Sequence, residues 1–154
     1  MDNEIFPQIV VASIENSGKA KYEEKCLFHE RILYRYLTRK IEKWSVVDFL
    51  RTEKIEKYAL YAVTDFTDLF IADLRENNGL FPVVISDKKA NRISYEILGY
   101  VISPPEEMIN LYKDGKIQKV IVMSILHENE IISELLKKGI LQQDLISIVS
   151  VLYS

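Results

Sequence analysis

At residue 57 the spacing of apolar side chains changes period, and no other feature of the chain limits its fold as strongly. The stretch KYALYAVTDFTDLF, residues 57–70, opens with a near-continuous apolar run over 58–63 and goes on with Phe66, Leu69, Phe70 and Leu74 at helical spacing. The first pattern suits a strand buried on both faces and the second a helix with one inward stripe. Strand, turn and helix in that order begin a βαβ unit, whose strands run parallel. The helix is expected to close at Asn77-Asn78-Gly79, residue types that favour a left-handed cap.

The order then repeats. Residues 81–86 read as a second strand and 100–102 as a third, and Ser103-Pro104-Pro105-Glu106 is a helix start with proline in the first turn. Residues 119–124 read as a fourth strand, 128–138 as a helix closed by Gly139, and 145–149 as a last strand. The fold class is therefore α/β, a Rossmann-like parallel sheet with helices on both faces. The right-handed crossover rule makes 3-2-1-4-5 the economical strand order. Upstream, Tyr22, Cys26, Leu33, Leu37, Ile41 and Trp44 mark a long amphipathic helix over 21–43, and Ser45-Val46-Val47-Asp48 has the form of a capping box opening a shorter one. Residues 1–56 are expected to form an N-terminal helical appendage and 57–154 the Rossmann-like unit, the two making one structural domain, as a length of 154 residues suggests.

Charge and cysteine content exclude several functions. A net charge of −3 gives no general attraction to nucleic acid or to a membrane. The single cysteine, Cys26, cannot form an internal disulfide, and with only His29 and His127 as nitrogen ligands it makes no zinc site. The apolar run over 5–14 is broken by Pro7 and Gln8 and is about half the length of a membrane span, so a core-facing helix or strand is expected there, followed by a turn at Ser17-Gly18. A cytoplasmic location is expected.

The turn inside KYALYAVTDFTDLF bears most directly on function. A dinucleotide site carries G-x-G-x-x-G here, giving a tight turn, close approach of pyrophosphate, and close helix–strand packing. This chain has Ala62, Thr64 and Thr67 in those places. The Thr64 side chain would stand where a phosphate sits, and a non-glycine residue at positive φ costs about 1–2 kcal/mol, so a widened turn is expected. Asp65 and Asp68 fall in the first turn of the helix, where their charge complements the dipole that a phosphate would use. They read as helix caps, with a Mg²⁺-bridged phosphate as the alternative. Asp87 ends the second strand about 20 residues on, where an acid would hold ribose hydroxyls or else start a loop with Lys88 and Lys89. Ser124 and His127, after the fourth strand, complete the candidate ligand-binding set with Ala62, Thr64, Asp65, Thr67 and Asp87. Ser and His alone make no triad without an orienting acid and an oxyanion hole, so no catalytic residue is assigned. No metal or cofactor is expected, because the glycine-free turn disfavours NAD(P) and nucleotide-sugars alike.

The segments ILYRYLTRKIEKWSVVDFLRTEKIEKYALYAVTDFTDLF, FPVVISDKK, ILGYVISPPEE, KVIVMSILHENEIISELLKKGI and LISIVS, spanning about residues 31–149, resemble the small Rossmann-like domains found with bacterial glycosyltransferases and sugar-modifying enzymes in surface-polysaccharide gene clusters. The resemblance implies a nucleotide or nucleotide-sugar pocket at the strand ends, while the family's glycine turn is missing. A non-catalytic or degenerate binding or scaffold domain in sugar or cell-surface polysaccharide metabolism is expected, the alternative being a nucleotide-sugar-binding enzyme or enzyme subunit. A third reading is an interaction module acting through the N-terminal helices. There Arg31, Arg35, Arg39 and Lys43 recur every fourth residue as a basic ridge, a candidate surface for a protein partner. Self-association into a homo-oligomer is also expected. Nucleic acid is not an expected partner, since no recognition motif accompanies the ridge.

Overall fold

A computed structural model of the chain describes residues 18–154. The apolar run over 5–14 and Ser17 of the expected turn lie outside the described residues. The long helix, α1 (Gly18–Ile41), and the short α2 (Val46–Thr52) precede the sheet. Ser45 opens α2 as expected: its hydroxyl accepts from the Val47 N–H at 3.1 Å, and its own N–H donates to Asp48 at 3.0 Å.

Strand β1 (Tyr58–Tyr61) leads into α3 (Asp65–Glu76) and β2 (Val84–Ser86), and after further elements come β5 (Lys119–Val122) and β6 (Leu145–Ser147). These four strands form a parallel sheet in the order β2-β1-β5-β6. The chain therefore leaves β1 on one side to make β2 and crosses to the other side to make β5. That reversal opens a crevice at the carboxyl ends of β1 and β5, the place where doubly wound sheets hold ligands.

The strand order differs from the expected 3-2-1-4-5, and the local chemistry explains why. The residues expected as the outer strand pair backwards instead: β3 (Glu96–Ile97) and β4 (Tyr100–Val101) form an antiparallel hairpin. Leu98 and Gly99 make its two-residue turn with φ of 57° and 85°, the positive pair that such a tight hairpin requires. Beside β2 only one parallel bridge remains, between Ser86 and Ser103. Pro104 and Pro105 follow, and without N–H groups they cannot extend the ladder. The last strand is also shorter than expected. The Ser147 hydroxyl accepts from the Val149 N–H and starts helix α6 (Ile148–Leu152).

Alternation along the strands divides the core in two. Tyr58, Leu60, Ile85 and Ile121 point to the face covered by α3, α6, α2 and α1, where Phe66, Phe70, Leu50, Tyr36 and Ile32 are buried. Ala59, Tyr61, Val84, Val120 and Val122 point to the opposite face, covered by α4 (Pro105–Lys113) and α5 (Glu128–Lys137) through Met108, Ile109, Ile131 and Leu135. Helices thus cover both faces. The end of α3 shows how closely the leading helices are fitted. Asn78 takes the left-handed conformation, φ 52°, and Gly79 follows because a Cβ there would lie 2.6 Å from both Leu74 and Val47.

One buried carboxylate joins the leading helices to the sheet layer. Asp73 on α3 accepts from Lys40 Nζ at 2.7 Å, the Ser45 hydroxyl at 3.0 Å, Asn77 Nδ2 at 2.7 Å and the Val46 N–H at 2.9 Å. The end of α1 and the start of α2 are thereby fixed to one point on α3.

Candidate functional site

The turn after β1 has no glycine. Ala62 holds φ at 80°, the left-handed region that favours glycine, so the backbone there carries strain. What holds it there is a set of short internal bonds. The Ala62 N–H donates to Ser86 O at 2.8 Å, and the Thr67 hydroxyl donates to Ala62 O at 2.8 Å while accepting from the Thr64 N–H at 3.1 Å. The Val63 N–H donates to Asp87 Oδ2 at 2.8 Å, and the other oxygen of Asp87 accepts from the Lys89 N–H at 2.8 Å. Asp87 thus braces the β1 turn against the loop after β2.

Thr64 closes the crevice from the other side. Its hydroxyl donates to Met123 O at 2.7 Å, just beyond the end of β5, and the Met123 N–H donates to Tyr61 O at 2.9 Å. The gap between the ends of β1 and β5 is therefore spanned by the chain's own bonds. Thr67 is wholly buried, and Asp65 and Asp68 stand exposed on the first turn of α3.

A cleft of about 360 Å³ remains between the strand ends and α5. Of the residues expected from sequence, Ala62, Thr64, Asp87, Ser124 and His127 line it, whereas Asp65 and Thr67 do not. Ser124 and His127 are adjacent but not as a nucleophile and base. The buried Ser124 hydroxyl accepts from the main-chain N–H of His127 at 3.2 Å, and the imidazole Nδ1 faces Glu130 Oε2, also at 3.2 Å. An acid beside the histidine is present, but the serine hydroxyl serves as a cap for the loop into α5.

Sequence reasoning missed Tyr61, Lys88, Glu130 and Glu134, which also line the cleft. The signal for the two glutamates was available, since His127, Glu130, Ile131 and Glu134 follow i, i+3, i+4, i+7 and share one face of α5. Tyr61 could have been placed by strand parity. Across the mouth Lys88 Nζ meets Glu134 Oε1 at 2.6 Å. Three carboxylates (Asp87, Glu130, Glu134) and one ammonium, Lys88, line the cleft, so acidic side chains outnumber the lysine there. Burial, then the charges of Glu134 and Asp87, push the Tyr61 hydroxyl up to about 12, so it is a neutral phenol at ordinary pH.

The basic ridge on α1 is partly turned inward. The Arg35 guanidinium lies over the Tyr153 ring at 5.1 Å; that of Arg39 lies over Trp44 at 4.5 Å and donates to Ser154 O at 2.8 Å. Lys43 falls beyond the helix in a turn with φ 63°, so it does not continue the row, and Arg31 is exposed. His29 packs edge-on against Phe66, with ring centres 5.0 Å apart. Among the described residues no cluster of three or more His, Cys, Asp or Glu side chains could hold a metal ion, and no helix is long and apolar enough to cross a membrane.

No family model matches the chain, and no curated protein matches it. Among solved structures it is similar to UDP-D-quinovosamine 4-dehydrogenase from Vibrio fischeri, with 20% identity over 56% of this chain and 74% of that one and a TM-score of 0.45.

Proposed function

We propose that the chain is a degenerate Rossmann-like binding or scaffold domain that has given up pyrophosphate binding, serving sugar or cell-surface polysaccharide metabolism without catalysing a reaction itself. The observation that carries this reading is the fate of the turn's donors. The N–H groups of Ala62, Val63 and Thr64 are taken by Ser86 O, Asp87 and Thr67. The Ala62 bond continues the β1–β2 pairing, while the Val63 and Thr64 N–H groups lie in the turn leading to the helix N-terminus, where a dinucleotide protein holds phosphate. Asp87 fills the anion's role from within, and the excess of carboxylates lining the adjacent cleft disfavours a second anion. The link to sugar metabolism rests on the resemblance of the segments over 31–149. Self-association through α1 is part of the proposal, supported by Leu27, Leu37 and Ile41, all exposed on that helix.

The test is a calorimetric and thermal-shift titration of dialysed protein with NAD, NADP, UDP-sugars and CMP-sugars, with and without Mg²⁺. No saturable binding is expected. Micromolar binding that disappears in Asp87→Ala overturns the reading and supports a nucleotide-sugar enzyme or subunit instead.

A further inference from the structure

Helix α1 buries one face and leaves an ordered apolar stripe on the other. Ile32 and Tyr36 are buried against the core, whereas Leu27, Tyr34, Leu37 and Ile41 are 42%, 44%, 51% and 83% exposed. Residues 27, 34 and 41 lie seven apart and 37 falls three after 34, so all four share the side of the helix away from Ile32 and Tyr36. That is the spacing of the two seam positions in a pair of helices. Between Leu27 and Ile41 the one other seam position holds Glu30, which is exposed.

The order of residues along the stripe selects both the partner and its direction. Turn a second copy of α1 end for end about an axis level with residue 32, and Leu27 stands opposite the second copy's Leu37 while Glu30 stands opposite the second copy's Tyr34. Each pair occurs twice, as a two-fold interface requires. The phenol hydroxyl can donate to the carboxylate, so Glu30 gains a polar neighbour within the seam. A parallel pair in register sets Glu30 against Glu30 and Glu23 against Glu23, like charges directly opposed. It also aligns the two helix dipoles, which the opposed arrangement sets head to tail. In the opposed register the helices overlap from residue 23 to residue 41, about 28 Å at 1.5 Å per residue. A single helix face offers less than the roughly 800 Å² per partner of a standard interface, so the dimer is a reversible one with a micromolar Kd.

We infer, on the footing of the self-association proposed above, that α1 pairs antiparallel with α1 of a second copy, Leu27 seated against the second copy's Leu37 and Glu30 beside the second copy's Tyr34. The contact uses the same patch on both molecules and therefore closes at two copies.

Sedimentation equilibrium over a micromolar concentration series tests the association. A monomer–dimer equilibrium is expected, weakened about tenfold or more by Leu37→Glu, which brings a charge into the seam. Val101→Glu, at a 65% exposed position on β4, should leave it unchanged. Direction is read from disulfides. In a Cys26→Ser background, Leu27→Cys and Leu37→Cys proteins are oxidised separately and as a mixture, and the mixture is expected to crosslink faster than either protein by itself. A dimer that Leu37→Glu disrupts, but in which each single-cysteine protein crosslinks to itself faster than to the other, is parallel; it overturns this inference and leaves self-association through α1 standing. A protein that stays monomeric throughout the series, or a dimer indifferent to Leu37→Glu, overturns both.

Discussion

Ala62, in the turn after β1, is one of five non-glycine residues described with positive φ, and at 80° an L side chain costs about 1–2 kcal/mol. Ala62→Gly relieves that strain, and the larger conformational freedom of glycine in the unfolded chain offsets part of the gain. A net stabilisation of about 0.5–1 kcal/mol is expected, read as a higher urea midpoint with an unchanged slope. The substitution puts a glycine at the first position of the turn, yet on the proposed reading no nucleotide binding is gained, since the Val63 N–H remains on Asp87. Sequence could identify Ala62, Thr64 and Thr67 as the displaced glycines, because a motif is a matter of spacing. It could not show how the turn is braced, because that depends on where the Thr67 hydroxyl and the Asp87 carboxylate finally point. Asp87 was legible as a strand-end acid that starts the loop with Lys88 and Lys89, but its bond to the Val63 amide was not.

Among the elements, those with long apolar stripes were read correctly. Helices α3 and α5 and strands β1, β2 and β5 occur where period and capping residues place them, because each buries its stripe; α1 also occurs, but it buries Ile32 and Tyr36 and leaves Tyr22, Leu37 and Ile41 of the expected stripe exposed. The segment around residue 100 was misread because a hairpin and an outer strand have the same short apolar signature, and the deciding feature was the positive φ at Leu98. The start of α2 had its capping box as a sequence signature, but the anchoring of the α1–α2 junction to α3 had none. It depends on Asp73, an acid in the middle of α3 that sequence presents as an ordinary polar position. Asp73→Ala leaves the Ser45 hydroxyl and the Val46 N–H without their acceptor and Lys40 with only Glu76 at 3.5 Å, and a loss of about 3 kcal/mol is expected. Hydrogen exchange provides the specific check: the Val46 amide should lose protection by more than amides in β1.

For the molecule as a whole, acid should act through Asp144, which joins α4, β5 and the turn before β6. Burial on its own would raise this carboxyl, but bonds from Lys119 and Tyr112 outweigh it and hold the group below the usual carboxylate range. A folded-state pKa below the unfolded value of about 3.9 means that the stabilisation is fully present above that pH and is lost as pH falls through the folded value. Asp144→Asn should therefore lower the denaturant midpoint at pH 7 and flatten its fall between about pH 5 and pH 2, compared with the unsubstituted chain. Ligand effects on global stability follow a different logic. A nucleotide-binding domain alternates between an empty and a loaded form, and its cell can read cofactor supply from the balance. In this chain the Asp87 carboxylate already sits on the Val63 amide, so the turn after β1 is braced by the chain's own groups without any ligand. If the proposed loss of nucleotide binding holds, the shape of this region does not follow the nucleotide level.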